Sequence, residues 1–250
     1  MVKTAILVDG GFFVKRSLKI FGQIPPEELA KKLFLHCIKH LWAHNHHSKD
    51  SEPERDELYR IFYYDCPPLN KKLLHPITKQ TIDFGNSTRA KWRKKLFEEL
   101  THHRKVALRL GRMDEVNTNW VINPKITSKV INGKISIEDL QENDVILINK
   151  QKGVDMRIGI DIASLAYKHL VDRIVLIAGD SDFVPAAKLA RREGIDFILD
   201  PMWAPIKPDL FEHIDGLKSV FPDPNKVVQE DNENHVCVDS NSQFVDNFSD

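Results

Sequence analysis

Apolar residues along this 250-residue chain fall into two kinds of run. Short, mainly apolar blocks occupy positions 4–8, 58–64, 106–110, 174–178 and 195–199, and 174–178 is apolar throughout and mostly branched. Blocks that do not alternate with polar residues predict strands buried on both faces, as in a parallel sheet. Between them the spacing changes to that of helices. Leu29, Leu33, Phe34, Cys37, Ile38 and Leu41 keep helical intervals after Pro25 and Pro26, which open that helix. Further helices are predicted at 14–21, 89–103 and 156–170, after Gly179 with Pro185 in the first turn, and at 208–220. Strands alternating with helices predict an α/β architecture around a mainly parallel sheet.

One region breaks the alternation. Asn132-Gly133 stands between two short apolar stretches and predicts a two-residue hairpin turn, hence a small β-hairpin insertion over about 120–140. Residues 144–149, with Val-Ile-Leu-Ile at their centre, predict one more buried strand before the 156–170 helix. On the 26–41 helix His36 and His40, with His44 beyond, lie four apart. That spacing suits a metal, but solvent-facing polar histidines are the expected reading.

Charge alters the picture by where it sits. Lys plus Arg and Asp plus Glu both number 36. Residues 223–250 hold seven acids and one base, which leaves 35 bases against 29 acids in the body, a charge of +6. The tail is expected to be disordered, being acidic and poor in aliphatic residues. Residues 70–112 carry twelve bases against three acids, with Phe84 and Trp92 among them. Such a surface suits a nucleic-acid backbone; a solvated helix face with Trp92, Leu96 and Leu100 turned inward is an equal reading. Cys37, Cys66 and Cys237 have no paired spacing, so neither a disulfide framework nor a zinc-cysteine cluster is expected. With no apolar run near membrane-spanning length, a cytoplasmic protein is expected.

The candidate chemistry lies in acids at strand-to-helix junctions. Asp9 precedes Gly10-Gly11, where glycines would let the backbone turn sharply. Asp155 follows Lys152-Gly153-Val154, and Asp180 and Asp182 frame Ser181. Strand carboxyl ends are where open α/β sheets bind ligands, and one helix cap explains only one acid of the last pair. Asp161, about 240° round its helix from Asp155, does not share its direction and ranks below it; Arg157 is spaced to pair with it. An all-oxygen donor set selects Mg²⁺ or Mn²⁺, whose usual chemistry is phosphoryl transfer. Neither nucleotide fingerprint is present.

Val8-Asp9-Gly10-Gly11-Phe12, Lys152 to Asp161, and Ala178-Gly-Asp-Ser-Asp-Phe183 together resemble the NYN domain of the PIN-like nucleases, most closely its bacterial LabA-type branch. The resemblance spans roughly residues 3–220. It implies a three-layer α/β/α fold with strand order 3-2-1-4-5, a domain over 1–221 with insertions at about 66–103 and 114–143, and a tail from 222. It further implies Mg²⁺- or Mn²⁺-dependent cutting of single-stranded or structured RNA. On this basis Asp9, Asp155, Asp180 and Asp182 are the metal and catalytic positions, with Asp161, Ser181 and Gly10 in support. Lys91, Arg93, Lys94, Lys95, Arg112 and Lys152 are the expected RNA contacts. Many relatives have Asn where Gly11 stands, so one substrate or water contact differs here. DNA as substrate and a homodimer are both compatible with the sequence. So are two other classes, a non-catalytic RNA- or protein-binding module and a small-ester phosphatase.

Overall fold

The computed structural model describes residues 1–42 and 55–224. In chain order these hold β1 (Lys3–Asp9), α1 (Gly10–Phe21), α2 (Pro26–His40), β2 (Glu57–Asp65), β3 (Lys72–Leu74) and β4 (Thr81–Asp83). Then come α3 (Thr88–Thr101), β5 (Val106–Leu110), β6 (Arg112–Met113), β7 (Asn119–Ile122), α4 (Pro124–Ile131), β8 (Val145–Ile148) and β9 (Gln151–Lys152). The remainder is α5 (Val154–Tyr167), β10 (Arg173–Ile177), α6 (Val184–Arg192), β11 (Asp196–Asp200), α7 (Pro208–Glu212) and β12 (Gly216–Leu217).

Six strands form one parallel sheet in the order β12-β11-β10-β1-β2-β5. Numbered among themselves, the main-sheet strands run 3-2-1-4-5 with a sixth beyond. Successive residues of β1 enter opposite cores. Ala5 and Leu7 pack with Ile158 and Ile162 of α5 and Ala187 of α6; Ile6 and Val8 pack with Phe13 of α1, Leu33 of α2 and Leu96 of α3. A period-two strand between two helical layers needs apolar residues at every position, which is why these runs do not alternate. Among the described residues no helix is long and apolar enough to cross a membrane.

Three expectations are corrected. Asn132-Gly133 is no hairpin turn: Asn132 ends α4, and Gly133, at φ +66, takes the left-handed position that follows a helix. The antiparallel pair in this region is β7 with β8, joined through α4. The Val-Ile-Leu-Ile run of β8 therefore lies outside the main sheet, and Asp155 follows the short β6–β9 pair rather than a central strand. The predicted 208–220 helix stops at Glu212 and gives way to β12. There Gly216 is pressed so close that a Cβ would sit 2.7 Å from Ile198 Cδ1. Residues 43–54 lie outside the described residues, as does the tail beyond 224, on which the expectation of disorder falls.

Candidate active site

At the carboxyl edge of the sheet β1 ends at Asp9, whose Oδ1 accepts a hydrogen bond from Phe12 N at 3.1 Å and caps α1. The glycines that follow are helical, with no positive φ, so the sharp-turn reading does not hold. Gly10 is needed for closeness. A Cβ there would fall 2.5 Å from the Tyr63 ring and 2.8 Å from Asp65 Oδ2.

Asp65, last residue of β2, sits beside Asp9 because Asp9 pairs with Tyr64 across the sheet. The carboxylate is fully buried and engaged. Oδ1 accepts from Arg93 Nη2 at 2.5 Å and from Cys66 N at 2.6 Å, and Oδ2 accepts from Tyr63 OH at 3.1 Å. Neither Asp65 nor this use of Arg93 was foreseen from the sequence. The available signal was that β2, like β1, ends in Asp. Arg93, one of the six expected RNA contacts, is thus mostly withdrawn from solvent, its side chain 15% exposed.

Across the sheet, β10 runs into Gly179, where a Cβ would lie 2.5 Å from Phe12 Cε2, so the start of α1 packs on the loop that follows β10. Asp180 accepts from Asp182 N at 3.1 Å, initiating a 3-10 turn over Ser181–Phe183. Ser181 Oγ accepts from Lys207 Nζ at 3.1 Å. Asp155 stands in the first turn of α5, where a carboxylate meets the positive end of the helix.

These carboxylates feel one another. Burial pushes the Asp9 carboxyl up to about 6; the Phe12 amide opposes this, and the charges of Asp155 and Asp65 add to it. Burial also raises Asp155, and Asp180 and Asp182 raise it further. Asp155 therefore links the β1 acid to the β10 acids. Sites where like charges are forced together are where functional carboxylates concentrate. An all-oxygen set of mutually repelling acids has donor chemistry that suits a hard divalent cation.

Asp161 is directed elsewhere. It accepts from Tyr64 OH at 2.8 Å and pairs with Arg109 Nε at 3.1 Å, while Arg157, expected as its partner, donates instead to Gly153 O at 2.9 Å. Of the other expected RNA contacts, Lys94 donates to Gly85 O, Lys95 pairs with Glu98 and Glu99, and Lys152 pairs with Asp114. Lys91 and Arg112 are exposed, and neither pairs with a carboxylate among the described residues.

The histidines of α2 are corrected outright. His36 and His40 are buried, not solvent-facing, and their Nε2 atoms lie 2.6 and 2.8 Å from Asp200 Oδ2 at the end of β11; His44 is outside the described residues. Among the described residues this is the one trio of His, Cys, Asp or Glu with ligand atoms all within 4.8 Å. The separations are those of hydrogen bonds, and both Nδ1 atoms are buried without a partner. Metal-bound histidines normally donate the second ring nitrogen to a neighbour. The trio reads as a buried carboxylate held by hydrogen bonds from two imidazoles. The four coupled acids are a separate group.

A family model described as the NYN domain matches residues 82–204, a span that includes Asp155, Asp161, Asp180 and Asp182 but not Asp9 or Asp65. The search of curated proteins found no match. A solved structure of a protein of unknown function from Vibrio parahaemolyticus RIMD 2210633 is similar at 12% identity and a TM-score of 0.41, over 88% of this chain and 93% of that one.

Proposed function

We propose, from the premise that this chain belongs to the NYN domain family and so to the PIN-like nuclease superfamily, that it is a metal-dependent ribonuclease. The observation that carries this reading is the electrostatic linkage of Asp9, Asp155, Asp180 and Asp182 at one edge of the sheet. A set with no histidine or cysteine favours Mg²⁺ or Mn²⁺. When bound, such an ion supplies an activated water and neutralises charge on the phosphate.

The protein's own groups prepare that chemistry. Asp9, fixed by its bond to the Phe12 amide, would hold the ion from the end of β1. Asp155 and Asp180, the latter oriented by its own 3-10 turn, would hold it together with Asp9. Asp182 is exposed, makes no side-chain hydrogen bond among the described residues, and is free to take a proton from the attacking water. Arg93 neutralises Asp65 and so limits the negative charge that an incoming phosphodiester meets. The basic stretch 70–112 would draw RNA toward this edge.

The test is incubation of wild type and Asp180→Asn with labelled single-stranded RNA and DNA in Mn²⁺, in Mg²⁺ and in EDTA. Metal-dependent cutting of RNA, lost in the variant, is the expected result. RNA that is bound but never cut in any metal would replace this reading with a non-catalytic binding module.

A further inference from the structure

The short pair β6–β9 sets Arg112 directly opposite Lys152. Facing residues of an antiparallel pair share one side of the ribbon, and like charges so placed destabilise it. Arg157, at the first turn of α5, joins them: Arg112, Lys152, Gly153 and Arg157 line one surface notch. Three cations therefore converge where only one carboxylate, Asp114 at 2.6 Å from Lys152 Nζ, takes part in pairing. Neither Arg112 nor Arg157 has a carboxylate partner among the described residues.

Glycine lets the notch close up. Gly153 has φ +78, and a Cβ on it would lie 2.7 Å from Arg157 Nη1; a Cβ on Gly111 would lie 2.7 Å from Lys152 O. The Arg157 bond to Gly153 O fixes its guanidinium, leaving other N–H groups for a ligand. A planar guanidinium beside a second one is suited to the oxygens of a phosphate, which it can grip through two hydrogen bonds. The notch also adjoins the acids without containing them. Asp155 lies two residues before Arg157, and the charge of Arg157 is felt at Cys66, next to Asp65.

We propose that Arg112, Lys152 and Arg157 form a phosphate seat for the nucleotide next to the scissile bond, so that the substrate must extend at least one phosphate beyond the point of attack. The word scissile rests on the nuclease reading; the phosphate seat itself does not. Arg112 and Arg157 act as positioning residues. They hold the chain in register while the acids act on the neighbouring phosphodiester.

The test has two arms. In EDTA, binding of a fluorescein-labelled oligouridylate is followed by anisotropy over a salt series for wild type and for Arg112→Gln/Arg157→Gln. The variant should bind about tenfold more weakly, and its log K against log salt should be shallower by about 0.7, the value for one phosphate on a single strand. Wild-type affinity and slope in a variant with an unchanged melting curve would overturn the proposal. In the second arm, a cleavable oligonucleotide has a single phosphate beside the cut replaced by a neutral methylphosphonate. Wild type should lose about tenfold in kcat/KM, and the variant should lose nothing further; independent, additive losses would overturn the seat. If wild type cuts nothing in any metal, the nuclease reading falls, and the binding arm still decides the notch.

Discussion

Asp9 serves two purposes that conflict. Its oxygen caps α1, which favours folding, while its buried charge beside Asp155 and Asp65 disfavours it. Asparagine keeps the capping oxygen and removes the charge. Asp9→Asn should therefore abolish metal-dependent cutting yet stabilise the metal-free protein at pH 7.5, by about 1–3 kcal/mol in urea denaturation. A carboxyl raised from 3.8 to about 6 costs nothing below its unfolded value and its full penalty above the folded one. The gain should thus be absent near pH 4 and complete above pH 6, and a variant less stable than wild type at pH 7.5 would contradict it. Gly10→Ala tests the neighbouring contact. Its Cβ would overlap Tyr63 and press on Asp65, so a loss of about 1–3 kcal/mol in the same assay is expected. Residue identity carried the four acids because each stands at a junction marked by glycine or by a following helix. Asp65 escaped notice because Cys66 and Pro67 follow it, with no helix to flag the junction.

At the scale of elements, α2 is bolted to β11 by Asp200. Met202 N donates to Oδ1 of that carboxylate, and His36 and His40 hold Oδ2. Burial opposes ionisation of Asp200, but the imidazole hydrogen bonds outweigh it and keep the carboxyl far below its usual range. Burial likewise pushes His40 below its ordinary value. Both shifts have the same consequence. A histidine lowered on folding gives stability that is complete above about pH 6.5 and lost as the pH falls, and a lowered carboxyl adds a loss beginning near pH 4. Thermal melts should show wild type weakening from pH 7.5 to 5, and Asp200→Asn, which removes the carboxylate that raises His40 against burial, should lose about 1–3 kcal/mol at pH 7.5 and fall more steeply than wild type over that range. A variant whose stability falls less steeply than that of wild type between pH 7.5 and 5 would remove Asp200 from this account. The sequence showed α2 and its apolar stripe, but not that two of its histidines turn inward. The partner that makes them tolerable is 160 residues or more away. The Asn-Gly signal failed for a related reason: both a tight hairpin and a helix end require a left-handed residue, and local sequence does not separate them.

For the whole molecule, the legible part was the alternation of buried strands and helices, because strands filling two cores leave an unbroken apolar trace. The additions around the sheet left weaker traces. The β3–β4, β6–β9 and β7–β8 pairs are each two to four residues long and mostly half-exposed; β7 and β8 are joined through α4, and β6 and β9 bracket both. Their slight burial has a measurable consequence. α4 contains no buried residue, and Asn123 N already bonds to Asp144 O at 2.8 Å where β7 and β8 close. Replacing 124–143 by a short turn removes little beyond buried Leu140, so the melting temperature should fall by roughly 4–8 °C and the fold should persist. Unfolding of the shortened chain at room temperature would show that this insertion supports the sheet.

The central place of β1 sets a timetable for synthesis. Thr4 pairs early with Leu58 of β2, but on its other side it must wait for Arg173. At a ribosome's pace of about 5–20 residues per second, the two events are separated by roughly six to twenty-three seconds. Throughout that interval one long edge of the first-made strand has no neighbour, and Ala5 and Leu7 lack the α5 and α6 side of their core. The nascent chain is therefore a natural client for whatever binds exposed strand edges at the tunnel exit.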